Sequence, residues 1–182
     1  MLFETERLVV RKATLDDADA LLAILGDPAN VRHFGSGKPW TRLEVEHFIR
    51  SYPDDHPRLV ATPGLVLHKP ALEVIGFGGV GYYVAAGNTA DLFFVLKQSY
   101  WGRGLGTELA RAALTAAFAH PQVGSVFATV QPANTASVRV LEKCGLALQE
   151  YLPEKDRLLY RIDRPSDPAP DTVPSTGRSN GG

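Results

Sequence analysis

The chain of 182 residues has little cysteine, no excess of charge of one sign and no long apolar run. Its single cysteine, Cys144, excludes an intramolecular disulfide and fits a reducing compartment. Nineteen basic and twenty acidic side chains nearly cancel, so neither nucleic acid nor a membrane surface is favoured as a partner. No stretch approaches the ~18 apolar residues of a membrane span. The N-terminus, Met1 to Glu4, turns acidic too early for a signal peptide. We therefore expect a cytoplasmic protein.

The length and the composition along the chain predict one domain followed by a tail. Residues 1–163 have the mixed apolar and polar composition of a folded domain. Residues 164–182 carry four prolines among Ser, Asp, Thr and Gly, and end in two glycines. Such a segment cannot bury enough apolar surface to offset its chain entropy, so we predict a disordered tail, with a docking role as the alternative.

The hydrophobic pattern predicts an α/β domain with a mixed central sheet. Strand-like runs fall at residues 8–12, 59–67 (interrupted at Pro63-Gly64), 74–83, 90–96, 126–131, 146–151 and 157–162. Helical patterns fall at 18–25 (ended by Asp27-Pro28), after 41, at 105–119 and after 134. Thr14-x-x-Asp17 and Thr41-x-x-Glu44 have the spacing of helix-capping boxes.

A glycine-rich run, Tyr100 to Glu108, lies between the apolar stretch Leu92 to Leu96 and the alanine-rich helical pattern Leu105 to Ala119. A strand that passes through such a loop into a helix start presents several main-chain N–H groups to one point in space. Glycine lets an anion approach that main chain closely, and the positive end of the helix dipole favours negative charge there. The run therefore predicts a phosphate site, most simply for a pyrophosphate.

Two common kinds of phosphate loop lack the residues that they need here. A nucleoside-triphosphate loop has Gly-Lys-Ser/Thr at the helix start, where this chain has Leu105-Gly106-Thr107. A dinucleotide fold has a third glycine at the position of Thr107 and an acidic residue after the next strand, which ends at Gln131. Coenzyme A remains, because its pyrophosphate also requires bare N–H groups but neither a metal nor a ribose carboxylate.

Three segments in order resemble landmarks of the GNAT-superfamily N-acetyltransferases. Tyr100 to Glu108 resembles the acetyl-CoA loop, Asn134 to Gly145 the second landmark, and Glu4 to Arg11 the first strand of the branch that acetylates the N-termini of ribosomal proteins. Together they span the chain from about residue 3 to residue 163. The resemblance implies the GNAT fold, with a mostly antiparallel twisted sheet flanked by helices. It also implies acetyl-CoA as the cosubstrate, and no metal.

The same resemblance implies which residues contact acetyl-CoA. The phosphates would lie on the loop residues Trp101, Gly102, Arg103, Gly104, Leu105, Gly106 and Thr107. The strand before the loop would splay from its neighbour and pair with the pantetheine amides through Phe94, Val95 and Leu96. Asn134 would hold the pantetheine arm. As a residue type preferred at helix starts, it would also cap the following helix.

Two residues are candidates for proton transfer. Asp91 lies near the place where the resembled branch often carries glutamate and could act as the base, although a solvated or ion-paired carboxylate is the alternative. Ser137 stands at the branch's position for the acid that protonates the departing thiolate, although a serine satisfying helix-start N–H groups is equally common. Many members of the superfamily use a tyrosine at the position of Leu141, which cannot donate a proton. Glu73 is a weaker candidate for the base.

The acceptor is the least specified part. The segments 31–41 and 149–157 could line an acceptor groove or be ordinary surface loops. An α-amine, with a pKa near 8, is about a tenth neutral at pH 7, whereas a lysine amine is neutral only to a few ten-thousandths. No cluster resembles a strong base, and this favours the α-amine of a protein N-terminus or a similarly easy small-molecule amine. We predict a monomeric or homodimeric N-acetyltransferase. The alternatives are a non-catalytic acyl-CoA-binding domain and a scaffold acting through the tail.

Overall fold

Eight strands form one continuous sheet with helices on both faces. The computed structural model describes residues 2–52, 63–84 and 88–165. The strands are β1 (Phe3–Glu4), β2 (Leu8–Arg11), β3 (Gly64–His68), β4 (Glu73–Val84), β5 (Thr89–Leu96), β6 (Ser125–Val130), β7 (Ala147–Leu152) and β8 (Arg157–Asp163). The helices are α1 (Ala18–Leu25), α2 (Pro28–Val31), α3 (Arg42–Arg50), α4 (Leu105–Ala119) and α5 (Thr135–Lys143).

The strand order is β1-β2-β3-β4-β5-β6-β8-β7, and every pair of neighbours is antiparallel except β5 and β6. Within the described ranges, the connection from β5 through α4 to β6 is the one crossover that makes a parallel pair. This arrangement confirms the predicted α/β class with a mostly antiparallel sheet.

The parallel pair separates halfway along. The register of β5 on β6 runs only from Thr89 opposite Ser125 to Asp91 opposite Phe127. Beyond Asp91, β5 stays paired with β4 as far as Leu96, while β6 stays paired with β8 as far as Val130. The sheet is therefore split into two halves that diverge at Asp91, and one edge of β5 faces an open cleft.

Alternation along β5 decides which side chains belong to which face. Phe93 and Val95 pack on one side with the apolar residues of α1 and α3. Leu92 and Phe94 pack on the other side with α4 and the second half of the sheet. Asp91 shares the side of Phe93, but it lies at the point where the cleft opens.

Local sequence signals predicted the starts of α1 and α3 and the end of α4. The main-chain N–H of Thr41 donates to Glu44 Oε2 at 2.6 Å, so the predicted capping box starts α3. Asp17 accepts from the N–H of Thr14 at 2.9 Å, although a 3-10 turn, Leu15–Asp17, precedes α1. α4 ends at Ala119, where the predicted helical pattern ends, directly before His120-Pro121.

Two local predictions need correction. Asp27-Pro28 does not close α1, which already ends at Leu25; instead Asp27 caps the short helix α2, accepting from the N–H of Ala29 at 2.8 Å with proline at the first helical position. The two-residue strand β1 was not predicted. Of the predicted strand 59–67, residues 59–62 lie outside the described residues.

The C-terminal side of the fold ends on Arg164. Its main-chain N–H donates to Gly124 O at 2.7 Å, and its Nε donates to Val123 O at 2.9 Å. Arg164 thus makes defined contacts one residue beyond the boundary predicted at 163. The division into a domain and a tail stays a prediction, since residues 166–182 lie outside the described part of the chain.

Candidate functional site

The glycine-rich loop forms a set of free main-chain donors at the start of α4. Gly104 is the N-cap of the helix and has left-handed backbone angles, φ 80° and ψ −2°, and Gly102 also has a positive φ of 75°. None of the main-chain N–H groups of residues 102–107 donates to another described residue. Free N–H groups at a helix start, reinforced by the helix dipole, bind anions. The predicted phosphate loop therefore has the donors that it needs.

The N-terminal segment holds this loop in place. Glu108, in the first turn of α4, accepts hydrogen bonds from Thr5 Oγ1 at 2.5 Å and from Arg7 Nε at 2.7 Å. The Arg7 guanidinium also donates through Nη1 to the carbonyl oxygen of Arg103 at 2.9 Å. Burial would raise the pKa of Glu108, but these hydrogen bonds outweigh it and the pKa lies below its ordinary value. The segment Glu4 to Arg11 and the loop Tyr100 to Glu108, two of the three resembled landmarks, are thus joined into one structural unit, which fixes the loop backbone.

The open edge of β5 offers main-chain groups to an extended ligand. The N–H of Lys97 donates to Ile75 O at 2.7 Å. Because main-chain hydrogen bonds to one neighbour occur at alternate residues of an antiparallel strand, Lys97 and Val95 bond to β4. The main-chain groups of Phe94 and Leu96 therefore point toward the cleft. The predicted role of Val95 in pairing with a ligand does not fit this geometry, because its N–H and C=O face Phe77 of β4.

Trp101 lies at the C-terminal end of the open edge of β5. Its Nε1–H donates to the Leu96 carbonyl oxygen at 2.8 Å, and the Arg32 guanidinium lies over its ring at 5.1 Å from the centroid. The carbonyl of Leu96, one of the three strand residues predicted to contact acetyl-CoA, thus already has an intramolecular partner. The N–H of Leu96 and both main-chain groups of Phe94 remain directed at the cleft.

A cavity of about 460 Å³, here called the large cavity, lies along the loop and the open edge. Its lining brings together most residues of the predicted acetyl-CoA site: Phe94, Val95, Leu96, Trp101, Gly102, Gly104, Leu105, Gly106, Thr107, Asn134 and Ser137. Arg103 is not among them; its guanidinium lies 4.9 Å from the ring centroid of Tyr100 instead.

The large cavity is electropositive. Arg32, Arg139 and Lys143 line it, and no carboxylate does so among the described residues. Three cationic side chains together with free N–H groups suit a ligand that carries several phosphates. Arg139 and Lys143 lie four residues apart on α5 and so share one side of that helix. Sequence reasoning gave these two residues no role, although their spacing on a capped helix was a usable signal.

Asn134 and Ser137 stand at the start of α5 with different tasks. Asn134 Oδ1 accepts from the N–H of Ser137 at 3.2 Å, so the asparagine side chain is the helix cap. The Ser137 hydroxyl forms no hydrogen bond with a described residue, and so the alternative of a helix-capping serine does not apply here. Both half-buried side chains line the large cavity.

A second cavity of about 210 Å³, here called the small cavity, adjoins the first across the cleft. Asp91, Thr129 and Arg157 line it, on the side of the sheet away from α4. Five residues line both cavities and mark the place where they meet: His33, Phe34, Phe94, Asn134 and Ser137. Ser137 therefore lies at the junction, whereas Asp91 lies in the small cavity alone.

Asp91 is half-buried, and its carboxylate forms no hydrogen bond or ion pair with a described residue. Burial without a compensating partner raises its pKa to about 6. A carboxylate with such a pKa is a better proton acceptor than an ordinary aspartate and is still ionised at neutral pH. The alternative of an ion-paired strand residue does not apply among the described residues. Glu73, the weaker candidate, bonds to Lys97 and Tyr100 and lines neither cavity.

The segment 31–41 contributes to both cavities, mainly through Arg32, His33 and Phe34. His33 Nδ1 lies 2.7 Å from Gln131 Oε1. Because that amide oxygen can only accept, Nδ1–H is the donor of this hydrogen bond. Of the second predicted segment, 149–157, only Arg157 reaches a cavity.

No group of three or more His, Cys, Asp or Glu side chains in the described part of the chain is arranged to hold a metal ion. No helix within residues 2–52, 63–84 and 88–165 is long and apolar enough to cross a membrane.

Comparison with solved structures supports the fold. A GNAT-family acetyltransferase from Bacillus anthracis superimposes with a TM-score of 0.76 at 24% identity, over 90% of this chain and 99% of that one. Spermidine N-acetyltransferase from Vibrio cholerae, in complex with CoA and spermine, gives 0.75 at 16% identity, over 88% and 97%. A putative ribosomal-protein-serine acetyltransferase from Vibrio cholerae gives 0.68 at 17% identity, over 88% of this chain and 95% of that one.

Sequence comparison supports the family. An uncharacterized N-acetyltransferase, p20, from Bacillus licheniformis is 29% identical over 161 residues, which are 85% of this chain and 89% of the relative. The family model described as the acetyltransferase (GNAT) domain matches residues 7–147. That range contains the phosphate loop, the open edge of β5, Asp91 and Ser137. The chain belongs to the GNAT acetyltransferase family and is an acetyl-CoA-dependent acetyltransferase.

Proposed function

We propose that the protein transfers the acetyl group of acetyl-CoA directly to a primary amine, either the α-amine of a protein N-terminus or a small-molecule amine. One observation carries the proposal. An electropositive cavity built on a phosphate loop meets a second cavity that holds an unpaired carboxylate, and Ser137 lies where the two join. The location in the cytoplasm and the monomeric or homodimeric state stay predictions.

The large cavity would bind acetyl-CoA. The N–H groups of residues 102–107 would hold the pyrophosphate, and Arg32, Arg139 and Lys143 would neutralise phosphate charge around it. Phe94 and the N–H of Leu96 would pair with the pantetheine amides as a missing strand would, since β6 has diverged from β5 at this point. The side-chain NH₂ of Asn134, which has no acceptor among the described residues, would bind the pantetheine arm.

Asp91 would accept the proton of the amine. Moving a proton from an α-ammonium with a pKa near 8 to a carboxylate with a pKa of about 6 costs about 3 kcal/mol, against about 6 kcal/mol from a lysine ammonium. With an aspartate of ordinary pKa, deprotonating an α-ammonium would cost about as much free energy as deprotonating a lysine ammonium costs with Asp91. The raised pKa of Asp91 therefore supports an α-amine or a similarly acidic ammonium as the acceptor.

Ser137 would protonate the leaving group. As the bond between the amine nitrogen and the acetyl carbon forms, the carbon–sulfur bond breaks and its electron pair remains on sulfur. The Ser137 hydroxyl would give its proton to that thiolate and recover one from solvent. The ammonium nitrogen loses two protons, one before the attack and one as the amide forms, and Asp91 would accept each in turn and release it to solvent. The products are the N-acetyl amine, free CoA and one net proton, so the proton and charge balance is closed.

Direct transfer is favoured over a covalent acetyl-cysteine. Cys144 lines neither cavity, and burial raises the pKa of its thiol. A thiol that is less ionised than usual and lies away from the site is a poor nucleophile.

The test is thiol release with the full chain. We expect free CoA to appear when the protein is mixed with acetyl-CoA and an amine library that contains amino acids, polyamines, aminoglycosides and short peptides with free N-termini. Release should depend on the amine and should match the N-acetyl product by mass spectrometry. Tight binding of acetyl-CoA without release on any amine would instead identify a non-catalytic acyl-CoA-binding domain.

Ser137→Ala should lower kcat about tenfold to a hundredfold and leave the Kd for acetyl-CoA unchanged, because the hydroxyl acts only as sulfur departs. Steady-state kinetics and calorimetry on the same preparation check the two parts. Thr135→Ala, at an exposed position in the same helix turn that also lines the large cavity, is the matched control and should keep its kcat. An unchanged kcat in Ser137→Ala would remove the serine from the mechanism.

A further inference from the structure

Asp91 and Arg157 bring opposite charges into the small cavity. Asp91 of β5 pairs with Phe127 of β6, and Phe127 pairs with Arg161 of β8. Two residues further along β6, Thr129 pairs with Leu159 of β8. Side chains on alternate strand positions share a face, so Asp91, Thr129 and Arg157 all project to the same side of the sheet. Both charged side chains line the small cavity, and they form no ion pair with each other.

The Arg157 guanidinium is held by one hydrogen bond, and its other N–H groups are available to a ligand. Its Nη2 donates to the carbonyl oxygen of Gly35 at 2.9 Å, which ties β8 to the segment that also contributes His33 and Phe34. The other N–H groups of the guanidinium have no acceptor among the described residues. A guanidinium held at one corner presents a fixed fork of donors, which matches a carboxylate or another planar anion.

The charge count in the small cavity argues against a polycation. Asp91 is the only carboxylate among its described lining residues, and Arg157 would repel a second positive group on the acceptor. An acceptor with several amines, such as the spermine bound in the Vibrio cholerae structure, would need several carboxylates to offset its charges. A volume of about 210 Å³ is also below the ~300–1,000 Å³ of pockets that enclose drug-sized ligands.

We infer that the acceptor is a small primary amine that also carries a carboxylate, as a free amino acid does. This rests on the proposed acetyl transfer and names its substrate class. The amine would lie beside Asp91, the carboxylate would bind the free N–H groups of Arg157, and Phe34 and Phe93 would contact the apolar part of the acceptor. Arg157 is then a specificity-determining residue and takes no part in proton transfer.

The experiment uses matched acceptors and matched variants. Thiol release is measured for the twenty protein amino acids, for the decarboxylated amine of each one that is acetylated, for spermidine and for a tetrapeptide with a free N-terminus. Phenylalanine and 2-phenylethylamine, for example, differ only in the carboxylate. We expect kcat/KM to be at least about tenfold higher for the amino acid of each pair, since a charged hydrogen bond contributes about that much or more.

Arg157→Gln should remove this preference. Its kcat/KM for the amino acid should fall about tenfold to a hundredfold, while its kcat/KM for the decarboxylated amine stays within about twofold. Arg161→Gln is the matched control, because Arg161 lies on the same strand and face, bonds to Asp163 and lines neither cavity; it should change neither value.

Each outcome decides something. Higher activity on spermidine, the tetrapeptide or the decarboxylated amines would overturn the inference and leave acetyl transfer intact. An equal loss on both members of a pair in Arg157→Gln would make Arg157 structural and overturn it as well. No thiol release on any amine, with acetyl-CoA bound, would reject the proposed function itself.

Discussion

Asp91→Asn should lower kcat for acetyl transfer about 10²-fold to 10⁴-fold and leave the Kd for acetyl-CoA unchanged. The carboxylate is the one group in the small cavity that is ionised, without a partner among the described residues and close to neutrality in its pKa, about 6. An amide has the same shape but cannot accept the amine proton. Kinetics with any amine found to react, and calorimetry with acetyl-CoA, measure the two quantities separately.

The pH profile adds a sharper signature. In the wild type, kcat/KM should rise with pH through about 6 as Asp91 ionises, and rise again as the acceptor amine loses its proton. Asp91→Asn should lose the first rise and keep the second. A variant that retains both the first rise and normal turnover would show that Asp91 is not the base.

The same substitution should stabilise the fold at neutral pH. Because burial raises the pKa of Asp91, the folded state favours the protonated form, and the stability from this group is present below about pH 4 and lost as pH rises through about 6. Two pKa units correspond to an upper bound of about 3 kcal/mol. Asp91→Asn should therefore have the higher Tm at pH 7 to 8, and the difference should vanish near pH 4.

Glu73→Gln is the control with the opposite sign. Hydrogen bonds from Tyr100 and Lys97 lower the pKa of Glu73, so its contribution to stability is present at neutral pH and fades in acid. Its removal should lower the Tm slightly at pH 7 and leave turnover unchanged, since it lines neither cavity. Loss of turnover in Glu73→Gln with no loss in Asp91→Asn would exchange the two assignments.

The fold was largely predictable because its signals are local. Capping residues three positions apart, alternation along strands and a proline after a helix each act within a few residues, as the Thr41–Glu44 box and the end of α4 demonstrate. The phosphate loop is equally local. The prediction that Asp27-Pro28 ends α1 was wrong because the same pair can end one helix or begin the next, and only tertiary packing decides between the two.

The site was predictable where one segment supplies it and obscure where distant segments meet. Arg157 bonds to a residue 122 positions away, and Arg7 bonds to Glu108 across 101 positions. No spacing rule connects such pairs. The main-chain direction of Val95 likewise depends on the register of β5 against β4, which the sequence of β5 alone does not contain. The residues proposed to recognise the acceptor therefore come together only in the folded structure.

Gly104→Val should weaken CoA binding about 10²-fold to 10⁴-fold while the protein stays folded. A left-handed backbone costs a residue with a Cβ roughly 1–2 kcal/mol, and a β-branched residue more, so the loop should relax away from its present φ of 80°. Relaxation turns the N–H groups at the start of α4 away from a common point. The loss of two hydrogen bonds to a charged group, each about 1.5–3 kcal/mol, gives the stated range.

Gly145→Val separates this effect from general strain. Gly145 has nearly the same backbone conformation, with φ 86°. An added Cβ would lie 3.5 Å from Ile162 at Gly145 and 3.5 Å from Arg7 at Gly104, so neither site is sterically blocked. Gly145 follows α5 and lines neither cavity. Both variants should lose similar stability in thermal unfolding, but only Gly104→Val should lose heat of CoA binding in calorimetry. Equal affinity losses would trace the effect to strain, and wild-type affinity in Gly104→Val would mean that the loop does not hold the phosphates.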